Sequence, residues 1–363
     1  MPSTTDTHDI GSIFPLYDKD LEKGINYDIP LWEGKRVLYS LCREALFDIA
    51  LRHACSNKVV LLPAYTCMTV ATPFIEQGWH CYYYSINKEL RIEKEHITNL
   101  FKLHNPAIVV AHPFFGMDFT EAELSLLESL KAEGCTMVID LTQCVFSKQR
   151  ASFVDYYVGS VRKWMAMPDG GFLEAENGKL MDFIGERDYN TSFSSKQTYS
   201  MYLRGLYFTT GNMMVKEISR RMNQDAVISA RIKTQPHRMD KLSYSILKNA
   251  NIREIEQCRL DNFRFLYESL KGNNHYQPVC HDINTVTTAP LYFTIYVNKR
   301  AELQKTLAAS QIYAPIIWPI GCNEMRTSED VEYIYQHILA IPCDQRYTKK
   351  DMLKITNIIN HFK

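Results

Sequence analysis

The 363-residue sequence has no apolar run long enough to cross a bilayer. Stretches such as Val59-Val-Leu-Leu-Pro63 fall far short of the ~20 residues that a spanning helix needs. It has no excess of charge either. Its 41 basic and 41 acidic residues give a formal net charge of +0, without the basic surplus of a nucleic-acid binder. The opening Met1-Pro-Ser-Thr-Thr-Asp-Thr-His-Asp9 lacks the apolar core of a secretion signal. The ten cysteines are scattered with no CxxC pair, so neither a zinc site nor a disulfide framework is expected, and reduced thiols in the cytoplasm fit the pattern. Without a secretion signal, Asn190-Thr-Ser192 carries no meaning as a glycosylation site. Internal repeats, low-complexity tracts and heptads are absent too.

What is present is ordinary globular composition, 46% hydrophobic and 23% charged, in a chain long enough for one large and one smaller domain. Residues 1–35 read as an arm, with Phe14, Tyr17, Tyr27, Pro30 and Trp32 spaced irregularly, as in a segment laid over a surface. Residues 36–235 form the large domain and residues 236–363 a smaller α+β domain, divided near a polar stretch that contains Pro236. In the large domain, apolar strands at 59–62, 81–84, 107–111 and 136–139 alternate with amphipathic helices, the first over 43–54. This predicts an α/β fold with a largely parallel sheet covered on both faces. Residues 177–223 read as mostly helical around a polar loop near Asn190. In the smaller domain, Asn251 opens a long helix, 291–297 is a strand, 312–318 an edge strand on account of Pro315, and Thr348 caps a final helix.

The chemistry-bearing residues fall where such a sheet binds ligands, beyond the carboxyl ends of its strands. Asp140 closes one strand, and Lys163 stands in a loop after another, just before Gly170-Gly171. A lysine and an acid in this order suit pyridoxal 5′-phosphate. Lys163 would form a Schiff base with the cofactor aldehyde, and Asp140 would keep the pyridine nitrogen protonated so that the ring draws electrons. Gln143 would reach the phenolic oxygen, and Ser160 would face the phosphate. Ser40–Glu44 is either a phosphate seat at a helix start or a plain capped core helix. His112 is either a cofactor contact or a hydrogen-bonded structural residue. Tyr65, Phe114 and Phe115 are either ring-stacking or core aromatics, and Trp318 reads as a core aromatic.

On these residues the chain resembles the DegT/StrS family of PLP-dependent sugar aminotransferases, from about Leu38 onward. Val60-Leu-Leu-Pro-Ala-Tyr-Thr66 is similar to that family's strand and turn before the cofactor. Asp140-Leu-Thr-Gln143 is similar to its aspartate-glutamine loop, and Pro168-Asp-Gly-Gly-Phe172 to its glycine pair after the lysine. Ile338-Leu-Ala-Ile-Pro342 with Arg346-Tyr347 is similar to its last segment. The resemblance implies a three-layer aspartate-aminotransferase fold and transfer of an amino group from glutamate or a similar donor to a nucleotide-linked keto sugar. It also implies a homodimer whose subunits complete each other's pockets. It places Cys42 and Arg43 in the phosphate loop, where the family has Ser-Gly-Thr, and Cys67 where the family has a ring-stacking aromatic. Arg43 and Arg162 then either supply phosphate charge in place of hydroxyls or form structural ion pairs. The departures at Cys67 and in the phosphate loop leave two other expectations: a different reaction on the same cofactor (dehydration, decarboxylation or carbon–carbon bond formation), or a non-catalytic regulator.

Overall fold

Short β-branched runs bounded by polar turns form the strands of one large sheet, and the amphipathic stretches between them form helices packed against it. The computed structural model describes residues 9–22, 32–33, 36–54, 57–175, 186–230, 234–273 and 275–362. The chain passes through α1 (Asp18–Glu22), β1 (Trp32–Glu33), β2 (Arg36–Tyr39) and α2 (Cys42–Arg52). It then alternates through β3 (Val59–Pro63), α3 (Met68–Glu76), β4 (His80–Tyr84), α4 (Lys94–His104), β5 (Ile108–Ala111), α5 (Glu121–Ala132) and β6 (Thr136–Asp140). Next come β7 (Tyr156–Ser160), β8 (Gly171–Ala175), β9 (Glu186–Tyr189), the helical pair α6 (Thr191–Thr210) and α7 (Met213–Ser229), β10 (His237–Arg238) and α8 (Lys241–Lys248). The remainder holds α9 (Ile252–Leu270), β11 (Tyr276–Pro278), β12 (Phe293–Val297), α10 (Arg300–Ala309), α11 (Glu329–His337), β13 (Ile338–Ile341) and α12 (Lys349–His361).

The large sheet runs β4-β3-β5-β6-β7-β8-β2-β10-β9, with β1 paired to β2. Its first five strands are parallel, and β8 and β2 follow antiparallel. Strand β5 is buried throughout and β6 almost so, as expected of apolar runs covered on both faces. The parallel direction brings Pro63, Ala111, Asp140 and Ser160 to one edge of the sheet. Thr120 opens α5 and Thr348 the final helix, as expected for the latter: Thr120 Oγ1 accepts from Glu123 N at 3.2 Å, and Asp351 Oδ2 accepts from Thr348 N at 2.8 Å. In the smaller unit β11, β12 and β13 form an antiparallel sheet. Helix α9 buries Ile255, Phe263, Leu266 and Leu270, and Phe263 meets Phe293 of β12 edge-on at 5.0 Å. Each such side chain contributes about 1.5–3 kcal/mol by leaving water. No helix among the described residues is long and apolar enough to cross a membrane.

One expectation is corrected. The segment 312–318 is not a strand: Ile312 makes an isolated bridge to Ile10, and Pro315 has no N–H with which to extend it. The described part of the N-terminal segment, residues 9–22, is mostly half-buried and is anchored at a few points. Asp9 is buried between Arg204 and Lys216, each 3.0 Å away, Leu16 is buried, and Gly11 N donates to Tyr347 Oη. Of the irregularly spaced residues, Tyr27 and Pro30 lie outside the described residues. The stretch 177–223 is mostly helical where it is described, with α6 and α7 following the short β9 and the turn at Asn190; its residues 177–185 lie outside the described residues. At the expected division after residue 235, β10 pairs with β2 and β9, so His237 and Arg238 are hydrogen-bonded into the large sheet.

Candidate active site

The lysine loop is held from three sides. After β7, Val161–Lys163 makes a single tight turn, closed by Trp164 N donating to Val161 O at 2.9 Å. Trp164 is fully buried; its Nε1 donates to Thr142 O at 2.9 Å, and the Arg259 guanidinium lies 4.6 Å from its ring centre. Gly170, at φ +142°, adopts a backbone that L side chains rarely take, and its N–H donates to Ser40 O at 2.7 Å. Gly171 then brings β8 against the start of α2, where a β-carbon would overlap the Leu41 and Cys42 backbone. The glycine pair thus sets the loop of Lys163 beside the first turn of α2.

One cavity of about 210 Å³ opens beyond the sheet edge, and all nine residues singled out in the sequence line it: Cys42, Arg43, Cys67, His112, Asp140, Gln143, Ser160, Arg162 and Lys163. Asp140 enters from the end of β6, its Oδ1 accepting from Thr142 N at 2.8 Å. Gln143 Oε1 accepts from Phe115 N at 3.2 Å, leaving Nε2 buried without a partner. His112 Nε2 lies 3.3 Å from Tyr65 O, and Nδ1 is buried without a partner. Burial lowers the His112 pKa, with Asp140 opposing, which favours the neutral ring. Thr66 Oγ1 and Arg162 Nε are also buried and unpartnered among the described residues. Four orphaned polar atoms around one cavity are the mark of a site shaped for a polar ligand, since each costs free energy while unmade.

Two helix starts, of α2 and α3, line the same cavity, and in neither does the N-cap side chain accept a hydrogen bond, while Glu44 Oε2 accepts from Leu41 N at 3.3 Å. Their free N–H groups and dipoles favour an anion there. Arg43, Arg162 and Lys163 add positive charge against Asp140 alone. Arg162 enters no ion pair among the described residues. Arg43 Nη1 donates to Ala230 O at 2.5 Å, tying the end of α7 to the start of α2, and Arg162 lies 5.5 Å from the Phe193 ring centre. Burial, then Arg43, lowers the Arg162 pKa. Burial, then Asp140, pushes the Cys42 thiol up, so it stays protonated.

Tyr65, Phe114 and Phe115 are buried in the core rather than lining the cavity. Trp318, expected in the core, instead lines it, 6.1 Å from the His112 ring centre. Sequence reasoning also missed Thr142 and Val227 as lining residues. Thr142 sits in the Asp140–Gln143 loop, where it was open to inspection; Val227 reaches the cavity from α7 with no local signal.

No family model and no curated protein matches the sequence. Solved structures do match. A putative sugar aminotransferase, Spr1654 from Streptococcus pneumoniae, shares 10% identity over 96% of each chain with a TM-score of 0.69. PseC of Helicobacter pylori, an aminotransferase involved in the biosynthesis of pseudoaminic acid, shares 11% identity over 97% of this chain and 98% of its own, with a TM-score of 0.67. A DegT DnrJ EryC1 StrS aminotransferase from Brucella abortus shares 13% identity over 90% of this chain and 85% of its own, with a TM-score of 0.61. The fold is that of the sugar aminotransferases. At these identities the likeness concerns the fold, and it spans both the large and the small unit of the chain. Within the sugar-aminotransferase fold, Spr1654 has been solved in a PLP form and a PMP form.

Proposed function

We propose that the protein is a pyridoxal-phosphate-dependent aminotransferase that moves an amino group from an amino acid such as glutamate to a keto sugar, carried on a nucleotide, in amino-sugar biosynthesis. The observation that carries this reading is the cavity itself: Lys163 and Asp140 line it together with the unpartnered Thr66 Oγ1, His112 Nδ1, Gln143 Nε2 and Arg162 Nε. A lysine amine, a carboxylate, two helix starts and an arginine fit an aldehyde, a pyridine nitrogen and a phosphate. The likeness of fold to sugar aminotransferases supports the same assignment.

Pyridoxal phosphate supplies an aldehyde that joins amines and a ring that accepts electrons. Lys163 Nζ is the amine that anchors it and, once displaced, moves a proton to or from carbon. Asp140 holds a proton on the ring nitrogen. The starts of α2 and α3 with Arg43, Arg162 and Ser160 would hold the phosphate, the unpartnered Gln143 Nε2 would donate to the phenolic oxygen, and Cys67 and Cys42 line the same walls. Apolar Leu46, Val70 and Val227 line the cavity and would help to exclude water from it.

The protein would work as a homodimer in the cytoplasm. Exposed Tyr199, Met213, Met214, Ile218 and Ile228 on α6 and α7 support a partner surface, and the nine described cysteines are all unpaired, which suits a reducing compartment. The test is visible absorbance of the purified protein, followed by borohydride reduction and peptide mapping. The expected result is a band that becomes a pyridoxyl group fixed on Lys163, with Lys163→Ala inactive. No band after adding the cofactor would sink the proposal, and a band without any keto acid formed from glutamate would point to another reaction at the same site.

A further inference from the structure

The turn after β3 leads into the cofactor cavity, and its backbone groups are partnered from far along the chain. Ala64 N donates to Tyr84 O at 2.8 Å, and Tyr65 O lies 3.3 Å from His112 Nε2. Two further groups meet one side chain of the smaller unit. Tyr335 Oη, on α11, donates to Ala64 O at 2.8 Å and accepts from Thr66 N at 3.4 Å. Met325 Sδ is 3.9 Å from the same hydroxyl, whose one hydrogen is better placed for the nearer carbonyl. Ala64, Tyr65 and Thr66 are fully buried, so no bulk water stands ready to replace that hydroxyl. The Tyr335 ring is edge-on to Tyr65 at 5.2 Å, and its carbonyl accepts from Arg300 Nη1 at 2.6 Å, which ties α11 to α10. Nearby, Gly321 comes so close to Met68, in the first turn of α3, that a β-carbon would overlap the Met68 side chain, and Thr327 Oγ1 lies 2.9 Å from Ser85 Oγ.

We infer that Tyr335 is a positioning residue for the cofactor cavity: its hydroxyl clamps the turn 64–66 and so couples α11 of the smaller unit to cofactor binding. The inference rests on the aminotransferase reading above and names a residue outside the cavity on which that site depends. Tyr335 does not line the cavity; it acts through Thr66 and Cys67, which do. The Thr66 N–H is held on the Tyr335 hydroxyl, while Thr66 Oγ1 is buried without a partner and left for a ligand. Cys67 is the N-cap of α3, so the path of the turn sets where that helix start points. Without the hydroxyl, a buried C=O and a buried N–H lose their partner, which costs more than the hydrogen bond itself contributes, and the turn gains a reason to move. A cofactor that binds the aligned turn must then restore it and loses affinity. The coupling is reciprocal, so a bound cofactor steadies α11 in turn.

The experiment titrates pyridoxal phosphate into the unloaded parent, Tyr335→Phe and Ile355→Val, and follows amide hydrogen exchange with and without the cofactor. Tyr335→Phe removes one hydroxyl and keeps the ring against Tyr65. Ile355→Val trims a fully buried side chain of α12, a helix packed on α9 and α10, and so lowers the stability of the same unit with the clamp intact. The expected result is an affinity about tenfold weaker in Tyr335→Phe, the scale of one buried hydrogen bond lost, with Ile355→Val binding as the parent does. In the parent the cofactor should slow exchange both at 64–67 and along α11, and in Tyr335→Phe the slowing along α11 should vanish. Should Tyr335→Phe fail to fold, the parent decides: slowing at 64–67 with none along α11 would overturn the coupling. Parent-like affinity in Tyr335→Phe, or slowing along α11 that survives in it, would overturn the clamp. An equal loss of affinity in Ile355→Val would do the same, by tracing the effect to stability at large. A parent that takes up no pyridoxal phosphate would overturn the aminotransferase reading and this inference with it.

Discussion

Gly171 and Cys42 meet backbone to backbone, so closely that a β-carbon on Gly171 would overlap the Cys42 amide nitrogen. Gly171 is paired with Ser160 across β7 and β8, so the contact links the strand leading to Lys163 with the helix start at the cofactor cavity. Gly171→Ala must push that helix start away. The expected cost is about 1–3 kcal/mol of stability, the usual size of an overpacking change, with a loss of pyridoxal phosphate affinity of about tenfold. Thermal unfolding and a cofactor titration of the unloaded protein read the two effects, and unchanged values in both would show that α2 is not held by this contact.

Asp140→Asn separates charge from structure. The amide oxygen can still accept from Thr142 N, which Asp140 Oδ1 does now at 2.8 Å, so the loop should keep its shape. The lost negative charge should lower turnover by roughly 10²-fold or more, the scale of removing one preorganised charge from an enclosed site, while the cofactor still binds. Single-turnover kinetics and the absorbance of the loaded variant check this. Turnover within a few-fold of the parent would remove Asp140 from the chemistry.

Much of the site was legible because its residues are chosen by chemistry and placed by strand ends. Asp140 and Lys163 each follow a β-branched run, and a parallel sheet delivers both to the same edge. What escaped depends on partners distant in sequence. Ile312–Trp318 has the composition of a strand, but Ile312 bridges to Ile10, at the other end of the chain. Trp318 looks like any aromatic beside a proline, and only its meeting with Tyr65 and His112 shows that it reaches a cavity. The N-terminal segment is fixed by ion pairs from Asp9 to Arg204 and Lys216, contacts that leave no local pattern to read.

The buried His112 gives a pH dependence of stability with a definite sign. Burial holds its pKa below the ordinary value, Lys163 adds to this and Asp140 opposes it. The unfolded chain therefore takes up the proton near pH ~6.5 and the folded chain only at lower pH. Stability is full above that range and falls as pH drops from about 6.5 toward the folded pKa, by at most about 1.4 kcal/mol per pH unit for each such histidine. His53 and His96 are also lowered by burial and share the slope. In urea unfolding at about pH 5.5 and 7.5, His112→Gln should lose less stability on acidification than the parent. An equal loss would mean that His112 is protonated in the folded state at the lower pH.

Trp318 should report on the cavity by its emission. The chain has four tryptophans; Trp79 and Trp164 are buried in the core, whereas Trp318 lines the cavity. Because residue 67 is a cysteine, the start of α3 presents no aromatic face, and Trp318 and His112 carry the rings of the cavity wall. Trp318 thus offers the larger of the two ring faces in that wall. Adding pyridoxal phosphate to the unloaded protein should quench tryptophan emission, and Trp318→Phe should abolish most of that change while keeping affinity within a few-fold. Trp318→Ala should weaken binding by about 0.5–1.5 kcal/mol, the worth of an aromatic contact beyond its buried area. Quenching that survives in Trp318→Phe would place the cofactor against another wall and leave Trp318 a packing residue.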